Sequence, residues 1–360
     1  MAEASDKYRE MGTGATVTEI IFSGALLSIT PPSQSQELPR SDWVWQPIEW
    51  GWSDITQSVL SLCGIVGNML VIMVLFQRRA ARISTDTLIG ALAVADFLTS
   101  LLIFPQPKPV RVPLTFLGHA ACKIIRSAVF MWISINASVF TLTAISVERY
   151  IAIVHPLHFK RWMTPRRTVV LILMIWLLSL GLKCRSFAVT VVEATSGRCI
   201  VTYPSPESRT YFAFQELVTM FLIPIATMLV TQCLIARSLR RDVRRFDADL
   251  QSSGPSANLL LARKKVITLV LIVVLIFVIC WTPDGVAYMA LGLQLLRPDF
   301  LFSTPYNLLV NIAFFNSCVN PMVYLIRYPQ FRVALKELFS RRSTERVKAP
   351  VFGQDERQFQ

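Results

Sequence analysis

Seven apolar stretches, each close to the length that crosses a bilayer, follow one another along this chain. A helical crossing takes roughly 20 mostly apolar residues. A charge near the bilayer centre costs about 3 kcal/mol, so charges mark the boundaries. Residues Ile55–Gln77, Ser127–Val147, Leu217–Ala236 and Phe300–Ile326 carry none. Ser84–Gln106 is interrupted only by Asp86 near its start and Asp96 in its middle. Thr168–Leu182 is short, and snorkelling of Arg167 and Lys183 extends it. Val266–Pro283 is uncharged and Val286–Leu296 continues its pattern, so Pro283, Asp284 and Gly285 bend a helix rather than end it, with Gly285 adding flexibility at the bend. The expected fold class is an all-α membrane protein, a seven-transmembrane helix bundle. Composition agrees: 16% of residues are charged, against about a quarter in soluble domains. Seven such lengths in succession argue against buried core helices of a large soluble protein.

Lys and Arg in short loops set the orientation. The segments after the first, third, fifth and seventh stretches are all basic: Arg78, Arg79 and Arg82; Lys160, Arg161, Arg166 and Arg167; a run from Arg237 to Lys265; and a tail from Arg327 to Lys348. They alternate regularly, so they share one side, and that side is expected to be cytoplasmic. The first 51 residues hold seven acids against three basic side chains and belong outside. The formal charge of +13 is thus mainly a topology signal, and nucleic acid is not an expected partner. The expected division is an outside tail over 1–51, the bundle over 52–327, a surface helix over 328–340 and a cytoplasmic tail over 341–360, in a multi-pass plasma-membrane protein. The apolar "EIIFSGALLSI" is read as part of the outside tail, with a cleaved signal as the alternative. Residues 31–40 and 247–258 read as linkers, and the one glycosylation match, Asn136-Ala137-Ser138, falls inside the third stretch. No internal repeat is evident, which disfavours a transporter built from inverted halves.

Seven cysteines are present, and Cys63, Cys233, Cys280 and Cys318 lie within the apolar stretches as packed thiols. Cys122, Cys184 and Cys199 fall on the oxidising side, where a disulfide is plausible. Cys122 with Cys199 is favoured, pinning the outer loop across the bundle; Cys184 with Cys199 is the rival.

Polar groups inside lipid need a reason. Asp96, Asn68, Ser138, Asn316 and Asn320 fall at similar depth by helical counting. No Lys or Arg reaches Asp96 there, so its partners are neutral donors, water or a small cation such as sodium. Structural glue between helices is the plain alternative. Glu148-Arg149-Tyr150 places an ion pair at the inner end of the third stretch, where Glu148 can hold the Arg149 guanidinium as a latch until a partner protein competes. Pro321 kinks the seventh stretch, and Asn320 can satisfy the freed backbone or bridge to Asp96. Beyond it, Phe331, Leu335, Leu338 and Phe339 recur at helical spacing opposite basic residues, as in an amphipathic helix on the inner leaflet.

These residues together resemble the rhodopsin-like (class A) G protein-coupled receptors. The motifs are "GN" in the first stretch, "LAVAD" in the second, "ERY" in the third, Trp176 in the fourth, Pro224 in the fifth, "CWTP" in the sixth and "NPMVY" in the seventh. Each is weak alone, but seven in order, over about residues 50–340, are very specific. The resemblance implies an outward ligand pocket and an inward cleft for a heterotrimeric G protein. It implies a sodium-linked network at Asp96, Ser138, Asn316 and Asn320, with no other cofactor. It also implies a switch at Glu148, Arg149, Tyr150 and Tyr324, and hinges at Pro224, Pro283 and Pro321. Trp281 resembles the pivot beneath the ligand, with Phe277 one turn below. Three departures stand out. Cys122 lies 27 residues before Arg149 where the family has 25, which implies a bulge or a displaced cysteine. Gln232 replaces a usual Tyr, and Arg263 replaces an acid that locks Arg149 in some members, so that lock is not expected.

Amine receptors carry an Asp where Met131 and Trp132 stand here, and opsins carry a Lys where Phe314 stands. "TLTAISVERYIAIVHPL" and "ARKKV" resemble neuropeptide receptors, and the acidic tail would draw a basic peptide. The expected ligand-facing residues are Arg126, Trp132, Glu216, Trp281, Asp284 and Tyr288. Lys183 could face the pocket too, although it and Arg126 read equally well as solvated helix ends. Asp284 is expected to pair with a cationic group of the ligand, its alternative being a protonated or water-bonded side chain at the bend. The expected function is activation of heterotrimeric G proteins by a short neuropeptide-like ligand, without substrate chemistry of its own. The alternatives are a small-molecule or lipid receptor of the same class, or a secondary transporter. Arrestin is a further expected partner through Ser340, Ser343 and Thr344.

Overall fold

The computed structural model describes residues 42–77, 84–248, 255–327 and 329–339, with the backbone alone at 160, 206, 242–248, 255–270, 298, 302 and 329–330. The expected linker at 31–40, Arg78, Arg79, Arg82, the Arg263 side chain, and Ser340, Ser343 and Thr344 lie outside what is described. Of the expected linker 247–258, residues 249–254 also lie outside, while 247–248 end one helix and 255–258 begin the next, which corrects that expectation.

Lipid offers no hydrogen bonds, so an apolar crossing must satisfy its backbone internally, and the helix does so within one segment. Among the described residues, seven helices meet the length and apolarity of a crossing: α1 (Trp52–Gln77), α2 (Ser84–Ile103), α3 (Phe116–Val154), α4 (Pro165–Lys183, continued by Arg185–Val189), α5 (Glu207–Arg241, within a helix reaching Ala248), α6 (Pro255–Gly292) and α7 (Thr304–Arg327). A short helix, Pro156–Trp162, follows α3, and α8 (Pro329–Phe339) follows α7. The boundaries follow local chemistry. α2 stops at Ile103 rather than Gln106 because Pro105 disfavours helical geometry at the residue before it. Thr164 caps α4 by accepting the Arg167 N–H, with Pro165 at the first helical position. Ser205 and Ser208 form a reciprocal capping box that starts the α5 helix. α6 runs unbroken through Pro283 but ends at Gly292, four residues short of the expected Leu296, and Gln294 then turns with φ 59°.

Strands close the outer face. β1 (Val44–Gln46) pairs antiparallel with β2 (Lys108–Arg111), and β3 (Thr190–Val192) with β4 (Cys199–Val201). A bridge between Arg111 and Arg198 joins the two ribbons. Residues 44–46, assigned to a tail by composition, are therefore a strand fastened to the loop after α2. Gly197 turns the β3–β4 hairpin at φ +68°, and its amide oxygen accepts from Val112 N at 2.8 Å.

The two surplus residues between Cys122 and Arg149 are absorbed at one place. Cys122–Arg126 winds as a π-turn and Ala128 then sits in the left-handed region at φ 50°, ψ 35° before α3 resumes at Val129. A wide turn of this kind takes up an inserted residue without breaking the helix. α5 carries a second one at Val218–Leu222, directly before Pro224. α8 corrects one expectation. Phe331 and Ala334 are buried against the bundle rather than turned to the leaflet, with the Phe331 ring edge-on to Tyr324 at 6.5 Å.

The Gly285 backbone matters for space more than for flexibility. A Cβ built there would lie 2.3 Å from the Phe221 ring. Gly285→Ala is therefore expected to destabilise the protein by about 1–3 kcal/mol through overpacking. Thermal unfolding of the solubilised protein reads this. Adding Phe221→Leu should recover most of the loss, and additive losses would show that the two residues do not meet.

Candidate functional site

The bundle holds three polar layers, and each arises from side chains that the apolar spans cannot leave in lipid. The outermost is a cavity of about 280 Å³. Arg126 and Trp132 of α3, Glu216 of α5, and Trp281, Asp284 and Tyr288 of α6 all line it, so the six residues expected to face a ligand meet at one place. Lys183 does not snorkel outward. It is 5% exposed, pairs with Glu216, and lies 5.2 Å over the Trp132 ring. The turn after Lys183 brings in a residue that sequence reading missed. Arg185 Nη2 takes the other Glu216 oxygen at 2.6 Å, Nη1 donates to Gln215 Oε1 at 3.0 Å, and the guanidinium stacks 5.0 Å over Phe212. Tyr203 and Tyr306 complete the wall. Two bases within three residues of a span end, with one acid in the next span, were the available signal. Asp284 is 9% exposed and its Oδ1 has no protein partner.

A second cavity of about 770 Å³ shares Arg126, Ser127, Trp132 and Tyr306 with the first, so the two are lobes of one vestibule. Gln46 at the end of β1 and residues 47–49 just beyond it form part of its wall, as does Asp54. Lys108 stands at this rim, where burial and then the Arg126 guanidinium hold its ammonium below the usual lysine value while Asp54 partly offsets them. A disulfide joins Cys122 to Cys199 and ties α3 to β4 above the vestibule; Cys184 is free, which removes the rival pairing.

The middle layer centres on Asp96, which has no exposure. Ser138 Oγ donates to its Oδ1 at 2.6 Å and Asn320 Nδ2 to its Oδ2 at 2.8 Å, so neutral donors hold it. Asn320 thus bridges to Asp96. Asn68 Nδ2 donates to Gly64 O and to Ser317 O, both at 2.9 Å, tying α1 to α7. Asn316 is buried in the same helix as Asn320. The side-chain oxygens of Asn136, Asn316 and Asn320 are buried without protein partners. Asn136 had stood out in the sequence only as a glycosylation match.

The inner layer is the Glu148–Arg149 pair, 0% and 5% exposed. Arg149 Nε donates to Glu148 Oε2 at 2.6 Å and Nη2 to Oε1 at 2.8 Å. Thr85 of α2 was not anticipated: its hydroxyl donates to Glu148 Oε1 at 2.6 Å and accepts from Arg149. Tyr150 turns away, its hydroxyl 3.1 Å from His155 Nε2. Tyr324, three residues after Pro321 within α7, is buried against Phe331. Gln232 is buried with neither amide atom partnered.

Seven spans, a disulfide-capped outer vestibule, a mid-bundle carboxylate and an inner Arg latch define the class. The profile of the family described as "7 transmembrane receptor (rhodopsin family)" matches residues 67–324, more than half of the chain. The chain belongs to this family. It is similar to the allatostatin-A receptor of Bombyx mori, 28% identical over 291 residues covering 78% of this chain and 77% of that one. It is also similar to the cholecystokinin receptor of Xenopus laevis, 26% identical over 347 residues covering 79% and 76%.

The disulfide gives a clean test by double replacement. Cys122→Ala, Cys199→Ala and the pair together should each lower stability by about the same 2–5 kcal/mol, because all three remove one bond. Thermal unfolding of purified receptor measures it, and a double variant markedly worse than either single one would contradict a shared bond.

Proposed function

We propose that this receptor sits in the plasma membrane with its N-terminus outside and its C-terminus in the cytoplasm, binds a short peptide in the outer vestibule, and catalyses nucleotide exchange on a heterotrimeric G protein. The observation that carries the reading is the stack itself: an open vestibule, a buried carboxylate layer and a closed Arg latch lie along one bundle. The orientation rests on the basic loops. The peptide assignment rests on two supports. The relatives named above are an allatostatin-A receptor and a cholecystokinin receptor. The two joined lobes, about 280 and 770 Å³, together reach the upper end of the range for drug-sized pockets, about 1,000 Å³. Family membership sets the transporter alternative aside. The receptor works by binding and changing shape, with no substrate chemistry of its own, and arrestin is a later partner at the phosphorylated tail.

In this mechanism the peptide enters beside Trp281 and presents a basic group to Asp284. The bend at Pro283 lets the inner half of α6 swing out. Arg149 then exchanges Glu148 and Thr85 for groups on the G protein. A buried ion pair broken without replacement costs about 3–5 kcal/mol, so the latch stays closed until a partner competes for Arg149. Arg149→Ala should abolish agonist-stimulated exchange while leaving surface expression intact. Guanine-nucleotide exchange in vesicles, with a peptide library as the source of agonist, measures it, and full signalling by this variant would refute the latch.

Sodium at Asp96 belongs to the same proposal. A hard cation takes oxygen ligands, and the layer offers the Asp96 carboxylate, the Ser138 hydroxyl and partnerless carbonyl oxygens on Asn316 and Asn320. Sodium chloride, compared with choline chloride, should raise the unfolding temperature of the ligand-free receptor. Asp96→Asn should flatten that response, and an unchanged response would leave sodium elsewhere.

A further inference from the structure

The smaller of the two lobes, which reaches Trp281 and is the vestibule's inner lobe, carries charges that its own walls do not balance. On the α4 side, Lys183 and Arg185 share one carboxylate, each holding a different oxygen of Glu216. Their side chains are only 6% and 17% exposed, so this is a partly dry positive wall with one anion for two cations. Ser127, Ser186 and Thr190 line the same lobe and add hydroxyls beside it. On the α6 side, Asp284 is nine-tenths buried with Oδ1 partnerless, and it lines the lobe. A buried carboxylate oxygen without a donor is costly, and a guest that supplies one relieves that cost. Water-poor walls of opposite sign select a guest of the complementary pattern, because each mismatched charge would be buried unpaired.

We infer that the inner lobe is a dipolar site, taking a carboxylate of the ligand at Lys183 and Arg185 and a basic group of the same ligand at Asp284. The preferred ligand is then a peptide segment with an acidic and a basic side chain close together, rather than a purely basic one. Glu216 occupies the cation pair in the ligand-free receptor, and the ligand carboxylate joins or displaces it. This rests on the peptide-receptor reading and adds the second charge to it.

Four matched pools of short peptides, acetylated and amidated so that the termini are uncharged, test the idea on the full-length receptor in lipid nanodiscs with a heterotrimeric G protein. One pool carries one Arg and one Glu, one replaces the Glu with Gln, one replaces the Arg with Gln, and one carries neither charge. The most potent stimulators of nucleotide exchange should fall in the first pool, with about a 30-fold or greater loss when either charge is removed. Arg185→Gln should erase the preference for the acidic residue and keep that for the basic one, and Asp284→Asn should do the reverse. Arg185→Lys, which keeps the charge, should retain the acidic preference, so a loss through misfolding is told apart from a loss of recognition. Equal potency with and without the Glu, or an acidic preference that survives Arg185→Gln, overturns the dipolar site while leaving the peptide-receptor reading in place. Silence from all four pools overturns that reading and this inference with it.

Discussion

Every polar group in this bundle is governed by the lack of hydrogen bonds in hydrocarbon. The backbone answers with helices. Small polar side chains answer within their own helix: Thr99, Ser134, Thr141, Thr143, Ser146 and Ser179 each donate to the carbonyl four residues back. Such residues cost little wherever they fall. Asp96, Asn68, Asn320, Glu148, Lys183 and Glu216 cannot be satisfied so locally. They must meet partners on other helices, and those meetings fix how the helices face one another. Asn68 joins α1 to α7, Asp96 joins α2 to α3 and α7, Thr85 joins α2 to α3, and Glu216 joins α4 to α5.

The three layers answer the same constraint with different degrees of closure. The inner pair is complete: both Glu148 oxygens and the Arg149 guanidinium are engaged, with Thr85 bridging them. The Asp96 layer has both carboxylate oxygens satisfied but leaves amide oxygens around it unpartnered. The outer layer is the least closed, with two cations on one acid and an unpartnered oxygen on Asp284. Among the charged groups, satisfaction is thus greatest at the Glu148–Arg149 pair and least at Asp284, while the neutral amide of Gln232 is unpartnered near the inner pair. In the proposed orientation, the engaged Glu148–Arg149 pair lies toward the cytoplasm and the unmet electrostatic demand of Asp284 toward the outside.

Depth was readable from the sequence, and direction was not. Charge-free lengths located the seven spans, and helical counting put Asp96, Ser138 and Asn320 in one layer. The 27-residue interval from Cys122 to Arg149 announced an irregularity, found as the π-turn at Cys122–Arg126 and the left-handed Ala128. Lys183 was ambiguous because a lysine at a span end can reach outward to water or inward to an acid, and only packing against Glu216 decides. Arg185 was missed for the same reason. β1 escaped because a three-residue strand has no periodicity of its own and exists through its pairing with β2. Phe331 lay at the right helical spacing, but α8's closeness to Tyr324 turned it into the bundle.

The stretch around Pro283 is where these constraints meet. Proline supplies no N–H, so the α6 ladder loses a bond there and bends easily. Trp281, two residues before it, forms part of the cavity floor with Phe277 buried one turn below, and Asp284, one residue after it, forms part of the wall. Gly285 admits the ring of Phe221, which belongs to the π-turn of α5. The weakest point of α6 thus stands against the irregular point of α5, with cavity-lining side chains on both sides of the weakness. A guest that pairs with Asp284 pulls on the outer half of α6 directly above the bend, while Trp281 and Phe277 pack the inner half. Close-packed contacts of this kind switch between discrete arrangements rather than deform smoothly. In the proposed mechanism, the carboxylate that follows the proline is accordingly placed where a small electrostatic event in the vestibule acts on a joint of α6.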